Sequence, residues 1–155
     1  MAEYPWFPLF VDLSGKKILV VGGGKIALRR IRTLTEFTEN VTVISPEIHP
    51  ELLPLEAEGK LTVLRRHYAP SDAEGADLVL AATGSQEVNE AVRADCRRLG
   101  ILVNVSSDRH SSDFYFPGIA RRGDYVAGIT ASGHDHGGAK KLTEAIRELL
   151  ERFEN

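Results

Sequence analysis

Five short apolar runs recur along the first two thirds of the chain and alternate with stretches of helical spacing. Lys17-Ile18-Leu19-Val20-Val21 is β-branched and apolar, the pattern of a strand buried on both faces. Ala27, Leu28, Ile31, Leu34 and Phe37 then fall at the spacing of one helix face, and Asn40 predicts its end. Val41-Thr42-Val43-Ile44-Ser45 predicts a second strand, and 52–58 a short helix interrupted by Pro54. Residues 61–64 and 77–83 predict two more strands. A helix is expected over 88–99, with Val88, Ala91, Val92 and Cys96 on one side and Gly100 as its C-terminal cap. A fifth strand follows at 101–105. Strand alternating with helix in this way predicts an α/β fold with a parallel sheet and right-handed crossovers.

The rhythm then changes. Residues 106–113 form a polar loop beyond the end of a buried strand, where open α/β sheets place their ligands. Residues 114–119 and 125–130 predict a C-terminal β-hairpin turning around Arg122-Gly123. A final helix over 139–153 carries Leu142, Ile146, Leu149, Leu150 and Phe153 as its apolar stripe. The expected organisation is a dinucleotide-binding domain over 1–113, followed by hairpin and helix over 114–155 as an extension for dimerisation or the substrate side. Tyr4-Pro5-Trp6-Phe7-Pro8-Leu9-Phe10 is too apolar for a free tail and too rich in proline for a helix. It reads as a packed arm, or as a border of the ligand crevice.

Between the first strand and first helix stands Gly22-Gly23-Gly24-Lys25-Ile26-Ala27, spaced as G-x-G-x-x-A. Gly22 permits a tight turn, Gly24 lets a pyrophosphate approach the backbone, and Ala27 lets helix and strand pack closely. The first amides of the helix, at Lys25 and Ile26, face that phosphate. The sheet is therefore expected to be Rossmann-like; a glycine-rich turn without a ligand is the alternative. Ser45-Pro46-Glu47 ends the second strand, where an acid commonly binds the ribose diol of NAD. Glu47 reaches that ribose, or favours the N-terminus of the next helix. With no arginine in this turn, NAD is favoured over NADP. Ala82-Thr83-Gly84-Ser85 is small and polar enough to lie against the nicotinamide ribose.

Composition narrows the class. Of 155 residues, 43% are hydrophobic and 26% charged, as in a globular domain, and the net charge of −3 argues against nucleic acid as a partner. Cys96 is the one cysteine, so no intramolecular disulfide forms. The first ten residues lack the basic and apolar regions of a signal peptide, and no apolar run is long enough to span a bilayer. A cytoplasmic location is expected.

The order of motifs resembles the bacterial precorrin-2 dehydrogenases, the dehydrogenase module of sirohaem synthases. The resemblance rests on Phe7-Pro8-Leu9-Phe10, the run Val20 to Arg30 through the triple glycine, and Val41-Thr42-Val43-Ile44-Ser45-Pro46. It continues through Leu80-Ala81-Ala82-Thr83, Asn89, Val103-Asn104-Val105, Asp113-Phe114-Tyr115-Phe116-Pro117 and Ile129-Thr130-Ala131-Ser132-Gly133. It implies NAD-dependent oxidation of precorrin-2 to sirohydrochlorin, in some members joined by ferrous iron insertion. It also implies that Asn104 faces the cofactor crevice and that a carboxylate beside the cofactor accepts a proton or steers the substrate. The carboxylates of the tetrapyrrole would favour basic contacts, for which Arg109, His110, Arg121, Arg122 and Lys140 are candidates.

The chain also departs from the family pattern. The usual aspartate three positions after Asn104 is replaced by Ser107, and Asp108 follows one later. Asp108 is therefore either the acid–base group or a turn former binding local amides. The last glycine-rich loop reads Ser132-Gly133-His134-Asp135-His136 where the family has Ser-Gly-Gly-x-Ser-Pro. Two histidines flanking an acid, with His110, form a ligand set for iron, although such loops are usually only solvated. The alternative function is a non-catalytic homologue that holds a dinucleotide or tetrapyrrole as a sensor or partner. An exposed apolar face makes a homodimer the expected assembly.

Overall fold

The computed structural model describes residues 5–153. Their contacts define two compact units, Val11–Phe114, and 5–10 together with 115–153.

The first unit contains β1 (Ile18–Val21), α1 (Lys25–Leu34), β2 (Val41–Ile44), α2 (Leu53–Ala57), β3 (Thr62–Leu64), β4 (Leu78–Ala81), α3 (Gln86–Leu99) and β5 (Leu102–Val105). The strands form one parallel sheet in the order β3-β2-β1-β4-β5. This is the Rossmann-like α/β arrangement. The order reverses between β1 and β4, and a crevice opens at their C-terminal ends. All four residues of β1 are buried, as its unbroken apolar run requires.

Alternate residues face opposite sides of the sheet. Leu19, Val21, Val79, Ala81, Val103 and Val105 pack with Val92 and Cys96 of α3. Val20, Val43, Leu80 and Asn104 occupy the other register, on the side of α1, whose Ala27, Leu28, Ile31 and Leu34 are buried. Ala27 is fully buried, which is the close helix–strand packing expected of a small residue there. At the opposite end of the sheet, Asp77 accepts a hydrogen bond from the Lys17 N–H at 2.8 Å and so joins the entries of β1 and β4.

Several boundaries differ from expectation for local reasons. α1 stops at Leu34 and passes into a turn through Phe37, well before Asn40. Pro54 lies in the first turn of α2, behind a 3-10 turn over Pro50–Leu52, so it begins that helix and does not interrupt it.

The second unit holds β6 (Gly118–Arg122), β7 (Tyr125–Ile129) and α4 (His136–Arg152). The two strands are antiparallel, and Gly123 takes φ 57° in the turn between them. Residues 114–117 are not strand. α4 begins three residues earlier than the expected start at 139, because the Asp135 carboxylate accepts the Gly138 N–H at 2.7 Å. Gly118 lies so close to Thr143 that a Cβ would overlap its hydroxyl. Trp6 of the N-terminal arm packs against Tyr115, ring centroids 4.2 Å apart. Only Thr143 of α4 is buried; Leu142, Leu149 and Phe153 remain about half exposed.

Candidate functional site

The glycine turn follows β1 directly. Gly22 has φ 121°, and a Cβ there would collide with the Ala82 carbonyl at the end of β4. A Cβ on Gly23 would collide with the Glu47 carbonyl. The protein itself thus demands glycine at these two positions. Gly24 differs. Its φ of −83° suits any residue, and an added Cβ would meet nothing within 4 Å. The space above it is open.

Gly24 is also the N-cap of α1, and no side chain caps that end. There is no acid in the first turn either. The N–H groups of Lys25, Ile26 and Ala27 head the helix without intrahelical acceptors, carrying the positive end of its dipole. The other long helices are closed by their own side chains: Ser85 accepts from the Val88 N–H on α3, and Asp135 caps α4.

A cleft of about 670 Å3 opens at this point. Gly22, Gly23, Gly24, Ser45, Pro46, Ala82 and Thr83 line it, seven of the residues expected from the sequence. The Glu47 side chain is exposed and not part of this lining; its carbonyl accepts from the Ser45 hydroxyl at 2.6 Å. Lys25 and Ile26 stand at the helix mouth, outside the lining. The cleft continues past the glycine turn to His67, Tyr68, Pro70, Val88, Ala91 and Asp95. Sequence reasoning missed this extension. The i, i+3, i+7 spacing of Val88, Ala91 and Asp95 was its available signal, since it puts all three on one side of α3.

Asn104 is buried, and both ends of its carboxamide are engaged. Its Oδ1 accepts from Arg30 Nη1 at 2.6 Å and its Nδ2 donates to the Phe114 carbonyl at 2.8 Å. It does not line the cleft. Arg30 is half-buried. Burial, and secondarily Arg29, bring its guanidinium down to about 10, so it remains cationic at neutral pH.

The ends of β4 and β5 are joined by Asn89, which is buried. Its Oδ1 accepts from the Thr83 N–H at 3.1 Å and its Nδ2 donates to Ser107 Oγ at 3.3 Å. Beyond it, residues 112–114 fold back along β5: Val105 N–H donates to Ser112 Oγ and Val103 N–H to Asp113 Oδ2. Asp108 caps the 3-10 turn Arg109–Ser111, accepting from Ser111 Oγ at 2.6 Å and from the His110 N–H at 2.9 Å. These two bonds hold its carboxyl below the usual range, so it is ionised at neutral pH.

The remaining cationic candidates divide between the units. Arg109 and His110 lie in the first, with Arg109 Nε donating to His110 Nε2 at 3.2 Å. Arg121 and Lys140 belong to the second; Arg121 Nε donates to the Gly123 carbonyl, and Lys140 lies 4.0 Å from Glu144. Arg122 serves a structural end: it donates to the Leu150, Glu151 and Phe153 carbonyls at the C-terminus of α4. Among the described residues, no three His, Cys, Asp or Glu side chains gather as a metal-binding group. Also among them, no helix is long and apolar enough to cross a membrane.

A family model described as "Putative NAD(P)-binding" matches residues 9–118. The chain is 37% identical over 147 residues to the "Probable multifunctional siroheme biosynthesis protein HemA" of Ruminiclostridium josui, covering 94% of this chain and 28% of that protein. It is 40% identical over 146 residues to the "Siroheme synthase" of Chromobacterium violaceum, covering 94% and 30%. The chain therefore spans less than a third of the length of these curated relatives. Among solved structures it is similar to "SirC, precorrin-2 dehydrogenase", with a TM-score of 0.82 at 28% identity over 96% of this chain and 71% of that one.

Proposed function

Because the chain belongs to this NAD(P)-binding family, we propose that it oxidises precorrin-2 to sirohydrochlorin with NAD as the hydride acceptor, in the formation of sirohaem. One observation carries the cofactor half of this reading. Gly24 is a glycine the protein does not need for itself, set at an uncapped helix N-terminus that opens into a cleft. Such a place suits a pyrophosphate, which meets free N–H groups and the helix dipole together.

In this reading Gly22, Gly23 and Gly24, with the N–H groups of Lys25 and Ile26, hold the pyrophosphate. Ser45 and Pro46 border the adenosine ribose, with Glu47 beside them. Ala82 and Thr83 border the nicotinamide ribose. Asn104 acts behind the site, through the loop that leaves β5. When bound, the nicotinamide supplies the hydride acceptor. Asp108 accepts the proton lost beside the transferred hydride or steers the substrate. Arg109 and His110 on the first unit, and Arg121 and Lys140 on the second, are each candidate contacts for carboxylates of the tetrapyrrole. The half-exposed stripe of Leu142, Leu149 and Phe153 supports a homodimer, and the setting is the cytoplasm.

A specific feature favours the alternative of a non-catalytic binding module: Asp108 is engaged in capping its own turn, and Ser107 is tied to Asn89. Anaerobic incubation with precorrin-2 and NAD, following the sirohydrochlorin absorbance, separates the two. The enzyme forms the product; the module binds NAD without turnover.

A further inference from the structure

The long arm of the cleft has a chemistry of its own. From the glycine turn it runs along α3, whose Val88 and Ala91 give it an apolar wall, with Pro46 and Pro70 also lining it. At its far end stand Tyr68 and Asp95. Asp95 lies nine residues into α3 from Gln86, about 14 Å along the helix axis at 1.5 Å per residue.

Asp95 is held in place. Tyr68 OH donates to its Oδ2 at 3.0 Å, and Arg98 approaches Oδ1 at 3.4 Å. The Asp95 side chain is 17% exposed, so little water competes for its remaining lone pairs. Burial first, and the bond to Asp95 second, push the Tyr68 hydroxyl well above its ordinary value, so it stays a donor across the working pH range. The carboxylate is acceptor-only. A cleft with an apolar wall and a fixed acceptor suits a purine bearing an amino group at its outer edge.

We propose that Asp95, positioned by Tyr68, makes the base end of the cleft selective for a 6-aminopurine over a 6-oxopurine. The assignment rests on the dinucleotide reading above and adds a specificity residue to it. The exocyclic amine of adenine donates to the carboxylate. The carbonyl of hypoxanthine would set lone pairs against lone pairs, a repulsive element that sharpens the choice.

The test is direct calorimetric titration of the full chain with NAD and with nicotinamide hypoxanthine dinucleotide, which differ at C6 of the base, amine against carbonyl, and in the N1 proton that accompanies the carbonyl. The wild type should bind NAD about tenfold or more tightly than the hypoxanthine analogue. Asp95→Asn, nearly isosteric and able to donate as well as accept, should narrow the ratio to within about threefold. Equal binding of the two dinucleotides by the wild type, or an undiminished preference in Asp95→Asn, overturns the assignment and leaves the dinucleotide reading standing. Failure of both dinucleotides to bind overturns both.

Discussion

Arg30 on α1 and Asn104 on β5 are 74 residues apart in sequence, yet the guanidinium donates to the carboxamide oxygen at 2.6 Å. The bond ties the helix leaving the glycine turn to the strand from which the 106–114 loop departs. Asn104 passes the restraint on to the Phe114 carbonyl.

Breaking this tie should destabilise the fold. A buried hydrogen bond to a charged group is worth about 1.5–3 kcal/mol. Arg30→Met and Asn104→Ala should each lower the unfolding free energy from urea titration by that order, and the double variant should lose less than the sum. A double-mutant cycle showing strict additivity would remove the coupling.

The glycines should separate by role. Gly22→Ala forces a Cβ onto the Ala82 carbonyl at positive φ and should lower stability by about 3 kcal/mol or more. Gly24→Ala meets nothing in the protein and should leave the melting temperature almost unchanged. Its effect should fall on NAD affinity, since the new methyl stands where the pyrophosphate approaches. Thermal melts paired with calorimetric titration distinguish the two, and unaltered NAD binding by Gly24→Ala would count against the phosphate cradle.

Asp108, exposed at the start of its 3-10 turn, carries the proton-transfer part of the proposed chemistry. Ser111 Oγ and the His110 N–H hold its folded-state pKa below 3.8. A lowered carboxylate pKa contributes stability that is present above the unfolded value and lost as pH falls through the folded one. Asp108→Asn should therefore flatten the acid limb of the stability profile below about pH 4. Asp108→Ala should abolish sirohydrochlorin formation and spare NAD binding. Turnover close to wild type in that variant would assign the residue to the turn alone.

The α4 stripe gives an assembly prediction. Leu149 is 58% exposed, so Leu149→Glu should cost the isolated fold little while placing a charge in any apolar interface. Sedimentation velocity should show the wild type as a dimer and the variant shifted toward monomer at micromolar concentration. A wild-type monomer would end the homodimer reading.

What depends on local periodicity and backbone permission is legible in the chain alone. Buried parallel strands must be apolar on both faces, so β1, β4 and β5 stand out as runs, and the turn at Gly22–Gly24 follows from the freedom glycine allows. Its split into two structural glycines and one open glycine was decided only in three dimensions, because the atoms that crowd Gly22 and Gly23 come from Ala82 and Glu47. The same reason explains the other surprises. The acceptors of Arg30 and Arg122, Asn104 and the last carbonyls of α4, lie far along the chain, so neither structural role shows in local spacing. Helical spacing puts Asp95 on one side of α3 with Val88 and Ala91, but its partner Tyr68 lies 27 residues away and is brought to it only by the fold. Periodicity reports which face of an element is buried; which distant group waits across that face is set by the order of the strands.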